Sequence, residues 1–188
     1  PIVEDDCYVD LRYDGDPVPS IYSLDDTGRV LYVASFSKII APGMRLGYMT
    51  GPTDFIDRAM SIKSGGSVNL LAAIAIHRFS PDLDEHIRRV RNIQRMKRDA
   101  MLAALGENFG SSATWSRPDG GLYIWLEMPK GTDLTKAQEA ALKSDVGFSI
   151  GTNMAADGMS GKNYARLCFG YNTVEEIHEG IARLADVF

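Results

Sequence analysis

The sequence predicts an α/β protein: a mostly parallel sheet with helices over residues 1–80, then a small α+β domain over residues 107–188. Three observations predict it. Apolar runs of strand length are interleaved with segments of helical spacing in the first part. Leu83, Ile87, Val90, Ile93, Met101, Leu102 and Leu105 recur at a helical period, so residues 81–106 read as one long connecting helix. Beyond it, strand and helix patterns mix within a short stretch, as they do in α+β domains.

Taken in order, Pro1–Asp6 begins without a cap or turn and reads as a strand already under way. Residues 14–29 are rich in Asp, Gly, Pro and Ser and form loop and turn. Val30–Ala34 is nearly continuous in apolar residues, the pattern of a strand covered on both faces. Arg45–Thr50 predicts another strand, closed by Gly51-Pro52. Thr53 or Asp54 can cap a helix reaching Met60. Asn69–Arg78 is apolar on most faces and predicts a buried helix. Ser80-Pro81-Asp82 combines a capping hydroxyl, proline at the first helical position and an acid in the first turn; Gly106 supplies a stop. Thr114-Trp115, Gly121–Leu126 and Ala165–Phe169 read as strands, and Thr132–Ser144 and Thr173–Val187 as helices. Thr173 and Glu176 make a capping box.

The 188 residues are 45% hydrophobic and 24% charged, the balance of a soluble globular protein. A net charge of -5 argues against a constitutive nucleic-acid binder, because phosphate backbones reward basic surfaces. No apolar run approaches the ~20 residues that span a bilayer, so no membrane partner is expected. Cys7 and Cys168 lie in apolar contexts and read as buried free thiols of a reducing, cytoplasmic compartment. The chain starts with Pro1 rather than Met, so targeting is not judged from this end. His77, His86 and His178 match no metal-ligand spacing, and no metal is expected. Gly65-Gly66 reads as a flexible turn, and the basic run Arg88, Arg89, Arg91, Arg95, Lys97, Arg98 as a solvated helix face.

One constellation carries chemistry. Lys38 ends the segment Ser35-Phe36-Ser37-Lys38, directly after the apolar run, and Arg45 follows seven residues later. Asp5 and Tyr8 stand three residues apart near the start. These residue types match what pyridoxal 5'-phosphate asks of a protein: an amine for its aldehyde, a carboxylate for its ring nitrogen and an anchor for its phosphate. Lys38 is the candidate amine. Asp5, at the end of a strand taken as buried, is the candidate carboxylate. Arg45 can grip a phosphate bidentately, and the Ser35 and Ser37 hydroxyls can donate to it. Tyr8 can reach the ring's phenolic oxygen. Each residue alone is unremarkable; the specific feature is their order along the chain.

That order resembles fold-type I pyridoxal-phosphate-dependent aminotransferases, in the class I/II branch of aromatic, 2-aminoadipate and kynurenine aminotransferases. The branch also supplies effector domains of MocR-type transcription regulators. Ile2–Tyr13 is similar to the family's acid–tyrosine strand, and Ser35–Tyr48 to its lysine segment, with Gly51-Pro52 following. Pro118–Trp125 resembles the glycine-rich strand that opens the small domain, and Tyr164–Gly170 the segment whose arginine binds the substrate's α-carboxylate. Cys7 departs from a proline common in relatives, and Ile150-Gly151 from a proline-glycine pair.

The resemblance implies several expectations. Residues 1–80 would be the C-terminal part of the large cofactor-binding domain, and the chain the C-terminal half of a protein about twice as long. Asp5 would pair with the pyridine nitrogen, Tyr8 with the ring oxygen, and Ser35, Ser37 and Arg45 with the phosphate. Lys38 would be Schiff-base partner and proton shuttle, and Arg166 would hold the α-carboxylate. An amino acid and a 2-oxo acid would be the substrates and a homodimer the full-length form. Two alternatives stay open: the effector domain of a regulator, and a truncated chain without activity. Tyr123, Trp125 and the loop around Phe148 suit aromatic or long substrate side chains, and equally a packed core.

Overall fold

The computed structural model describes residues 1–188, which form two compact units, Pro1–Arg91 and Asn92–Phe188. In the first unit, β1 (Ile2–Asp5) lies parallel to β2 (Val30–Ser35), with Ile2 opposite Val30 and Asp5 opposite Val33. β2 lies antiparallel to β3 (Gly47–Thr50), with Ser35 opposite Gly47. The sheet order is β1-β2-β3, one parallel and one antiparallel pair.

The loop before β2 is organised by one carboxylate. Asp25 accepts hydrogen bonds from the Thr27 amide and hydroxyl and from the Arg29 and Val30 amides, at 2.6–2.9 Å. Glu4 in β1 accepts from the Ile21 and Tyr22 amides at 2.8 Å each. It thereby satisfies two of the free N–H groups that open the short helix α1 (Ile21–Leu24).

Two helices follow. α2 (Thr53–Ile62) is already helical at Thr53, with Pro52 at the cap position, so neither Thr53 nor Asp54 caps it. α3 (Leu70–Phe79) is capped by Asn69, whose side chain accepts from the Ala72 amide at 3.1 Å. Its predicted burial is corrected by the structure: Ala72 and Ile76 are buried, whereas Leu70 and Leu71 are 68% and 79% exposed. A helix apolar on most faces needs cover on several sides, and this unit supplies it on one. β1 shares the condition, with Val3 67% exposed, and β2 buries Val30 and Ala34 while Leu31, Tyr32 and Val33 stay half-buried.

α4 (Leu83–Phe109) is the long helix. Ser80 does not cap it. The chain runs from α3 through a single 3-10 turn at Ser80–Asp82 into α4, and the Ser80 hydroxyl donates back to the His77 carbonyl at 2.8 Å. Nor does Gly106 end it. One helical glycine costs about 1 kcal/mol relative to alanine, too little to stop a helix whose neighbours favour it. The helix ends before Gly110, which adopts a left-handed φ of 52°.

The second unit is built on a four-stranded antiparallel sheet in the order β4-β5-β7-β6, from β4 (Thr114–Trp115), β5 (Tyr123–Glu127), β6 (Ser149–Ile150) and β7 (Tyr164–Cys168). Alternation sorts its faces. Ile124 opposes Leu167 and Leu126 opposes Ala165, and all four are buried. Tyr123, Trp125, Glu127, Tyr164, Arg166 and Cys168 occupy the other face. The core is completed by Met101, Ala104, Leu105 and Phe109 of α4, by Leu134 and Ala141 of α5 (Leu134–Lys143), and by Ile177, Ile181 and Leu184 of α6 (Val174–Ala185). Each such large apolar side chain contributes roughly 1.5–3 kcal/mol when fully buried. The Thr173–Glu176 capping box is present with both hydrogen bonds, at 2.8 and 3.2 Å.

The basic run on α4 is more than a solvated face. Arg98 is 7% exposed and bonds Asp99 and the Pro118 carbonyl at 2.9 Å each. Arg91 bonds the Asp10 carbonyl, and Lys97 reaches the Gly170 and Tyr171 carbonyls at 3.3 Å. These cations tie loops to the helix, which alternating charge along a sequence does not reveal. No helix is long and apolar enough to cross a membrane.

Candidate active site

Parallel pairing of β1 with β2 sets the two strand ends side by side, and the candidate residues sit there. Past β2 the chain enters a helical turn, closed by the Ile40 amide donating to the Phe36 carbonyl at 2.9 Å. Ser35 starts this turn: its hydroxyl oxygen accepts from the Ser37 amide at 3.1 Å and its O–H donates to the Ser37 hydroxyl at 2.9 Å. Both serines and Lys38 are half-buried. Lys38 Nζ lies 5.8 Å from the centroid of the Tyr8 ring.

Asp5 is exposed, because β1 is the edge of the sheet and not a buried strand. Its carboxylate accepts a hydrogen bond from the Cys7 thiol. That bond, then burial, pushes the thiol above its ordinary range, and the Lys38 charge opposes the shift. Cys7 is half-buried and Cys168 exposed, so neither is the fully buried thiol that its apolar neighbours suggested. Beside them the Tyr32 hydroxyl donates to Asp6 at 3.0 Å; burial and this bond raise it well above a free phenol.

Arg45 behaves differently. It lies outside β3, in a left-handed conformation (φ 51°, ψ 41°) that costs a non-glycine residue about 1 kcal/mol or more. Its exposed guanidinium donates to the Pro42 carbonyl at 3.1 Å. The structure therefore groups Asp5, Cys7, Tyr8, Ser35, Ser37 and Lys38, and turns the Arg45 head to its own loop.

One contact that supports this turn was not legible as functional. The His86 ring Nε2 lies 2.7 Å from the carbonyl of Ile39, the residue after Lys38, and the ring packs edge-on against Phe79 at 5.2 Å. No motif marks His86, since its partner is a backbone atom far away in sequence.

Arg166 belongs to the second unit. It is half-buried on the non-core face of the sheet, opposite Trp125 on β5 and Ser149 on β6. Its buried neighbours Ala165 and Leu167 point to the other face, so they do not draw it inward. Its guanidinium carbon lies 4.3 Å from the Tyr123 ring centroid.

As a donor set, the first unit's cluster fits pyridoxal phosphate. The primary amine suits an aldehyde, two hydroxyls suit a phosphate, a carboxylate suits a ring nitrogen, and a phenol suits a ring oxygen.

Comparison with known proteins gives the family. The family model for aminotransferases of class I and II matches residues 1–184. The aromatic-amino-acid aminotransferase 1 of Thermococcus litoralis is 36% identical over 189 residues, 98% of this chain and 45% of that protein. The HTH-type transcriptional regulator YdfD of Bacillus subtilis is 32% identical over 188 residues, 98% of this chain and 38% of that protein. The kynurenine aminotransferase of Pyrococcus horikoshii, solved with PMP and with KYN as substrate and KYA as product, superposes with a TM-score of 0.91 at 38% identity. It covers 98% of this chain, which covers 46% of it. The chain thus spans less than half the length of these relatives, and over that span it has their α/β fold: it belongs to the class I and II aminotransferase family.

Proposed function

We propose that this chain is the C-terminal half of a pyridoxal-phosphate-dependent aminotransferase, moving an amino group between an amino acid and a 2-oxo acid. The observation that carries it is the placement of Lys38: half-buried, on a turn headed by the Ser35–Ser37 pair, its Nζ 5.8 Å from the Tyr8 ring. Residues 1–80 form the end of the large domain, 81–106 the connecting helix and 107–188 the small domain. The exposed apolar side chains of α3 and of β1 are where the rest of the family fold would cover this part. The whole protein acts as a homodimer in the cytoplasm.

When bound, the cofactor supplies an electron sink for the substrate's α-carbon. Lys38 would hold the cofactor through its amine, and Lys38 Nζ would be the base that takes up and gives back the substrate's α-proton. Asp5 would keep the ring nitrogen protonated, Tyr8 would donate to the ring oxygen, and Ser35, Ser37 and Arg45 would hold the phosphate, Arg45 by exchanging its bond to the Pro42 carbonyl for one to the phosphate. Arg166 grips the α-carboxylate through its forked N–H groups.

In a polypeptide of family length that carries this chain, Lys38→Ala abolishes amino transfer and the visible absorbance of the bound cofactor. Turnover retained by that variant refutes the assignment. The similarity to YdfD favours a second reading, the effector domain of a transcription regulator. A helix-turn-helix ahead of Pro1, with DNA binding and no turnover, selects that reading.

A further inference from the structure

We propose that Tyr123 is the positioning residue for Arg166, holding its guanidinium face so that the N–H edge stays available to a substrate carboxylate. The inference rests on the reading of Arg166 as the carboxylate-binding residue.

The register makes the contact specific. Directly opposite Arg166 on β5 stands Trp125, and Tyr123 is opposite Cys168. The Arg166 guanidinium nevertheless lies over Tyr123, its diagonal neighbour, at 4.3 Å from the ring centroid. Trp125 is engaged elsewhere: it stacks on Tyr164 at 5.5 Å with 17° between the planes, and the Tyr164 hydroxyl donates to Glu127 at 2.8 Å. Two pairs, Arg166 over the Tyr123 ring and Tyr164 stacked on Trp125, therefore pave this face of the sheet. Each pair is built from residues whose backbones are fixed by β5–β7 pairing.

The chemistry of the contact matters more than its strength. A guanidinium has all five N–H donors in its plane, and an aromatic ring beneath it occupies the face. A ring beneath the guanidinium carbon thus restrains a long, flexible side chain without pairing its N–H edge with an acceptor. An ion pair with a carboxylate of the chain would restrain it too, but would occupy the fork that a substrate carboxylate needs. Arg166 makes no such ion pair; its guanidinium is engaged by the Tyr123 ring. A half-buried cation ordered by a ring and left with its donors free is preorganised for a planar anion, and preorganisation lowers the ordering cost at binding. The ligand class is a small carboxylate, the group shared by amino acids and 2-oxo acids.

The test compares Tyr123→Leu, Tyr123→Phe and Arg166→Ala in the polypeptide of family length, with KM for both substrates and kcat as readouts. Loss of the cation–ring contact predicts a rise in KM of about 3- to 30-fold for Tyr123→Leu, on both substrates, with kcat little changed. Tyr123→Phe keeps the ring and stays near the unsubstituted protein. An unchanged KM in Tyr123→Leu, where Arg166→Ala raises it, overturns the positioning role while leaving Arg166 intact. An unchanged KM in Arg166→Ala removes the carboxylate reading and the inference with it. A second measurement needs no cofactor or turnover: in the NMR spectrum of this chain, the Arg166 Nε–H signal is displaced upfield by the Tyr123 ring current, and Tyr123→Phe retains that displacement. A signal at the position of a free arginine overturns the proposal.

Discussion

A single methyl group at Gly151 should unseat the strand that carries Arg166. A Cβ at this buried position lies 2.3 Å from the Gly161 carbonyl oxygen, 2.8 Å from Tyr164 Cβ and 3.0 Å from the Tyr164 carbonyl oxygen. The two oxygens are backbone atoms, and Tyr164 Cβ is fixed to the backbone, so no side-chain rotation relieves the overlap. The Gly161 segment must retreat by about 1 Å, and its carbonyl is the acceptor for the Tyr164 amide at 3.0 Å, the bond that leads into β7. Overpacking costs about 1–3 kcal/mol and the lost hydrogen bond about 1 more, so Gly151→Ala destabilises the second unit by roughly 2–4 kcal/mol. For a unit of this size each kcal/mol moves the midpoint by about 4–8 °C, so thermal unfolding followed by circular dichroism shows a drop of roughly 8–32 °C. Gly180→Ala is the matched control. It lies inside α6, a Cβ there meets nothing within 4 Å, and alanine stabilises a helix interior by about 1 kcal/mol. A Gly151→Ala protein within about 1 kcal/mol of the unsubstituted one, or a Gly180→Ala protein that loses stability, refutes the reasoning.

Two further outcomes follow from the electrostatics. Cys7, its thiol raised chiefly by the bond to Asp5, reacts with iodoacetamide at neutral pH several-fold more slowly than exposed Cys168; Asp5→Asn removes the cause and speeds Cys7, as peptide mass mapping reads. Asp25 is held at about 2 by the Thr27 hydroxyl and amide and by the Arg29 and Val30 amides. A depressed carboxyl stabilises the fold above its ordinary value of 3.8 and loses that contribution as pH falls towards about 2. Asp25→Asn therefore flattens this part of the acid-unfolding profile, and an unchanged acid limb contradicts the loop geometry.

What the sequence revealed, it revealed through local signals. The apolar run before Ser35-Phe36-Ser37-Lys38 located β2 and its lysine turn, and Thr173 with Glu176 located the start of α6. Signals that depend on what lies across space misled or stayed silent. The composition of α3 asks for burial, but no sequence pattern says which chain supplies the cover. Ser80 looks like a cap because its neighbours are right, yet α3 and α4 run together through its turn and leave it no cap to fill. Arg45 reads as the first residue of a strand, whereas the strand starts at Gly47 and the left-handed backbone of Arg45 aims its head at Pro42. The pairing of Arg166 with Tyr123 needs the β5–β7 register, and the support of the lysine turn by His86 needs the tertiary fold.

If Lys38 is the residue that meets the cofactor, it can be labelled there. A polypeptide of family length carrying this chain is mixed with pyridoxal phosphate, reduced with borohydride, digested and mapped by mass spectrometry. One pyridoxyl-phosphate group per chain is expected, on the peptide containing Lys38, and none in Lys38→Ala. An adduct spread over surface lysines, or an equal yield in Lys38→Ala, contradicts it.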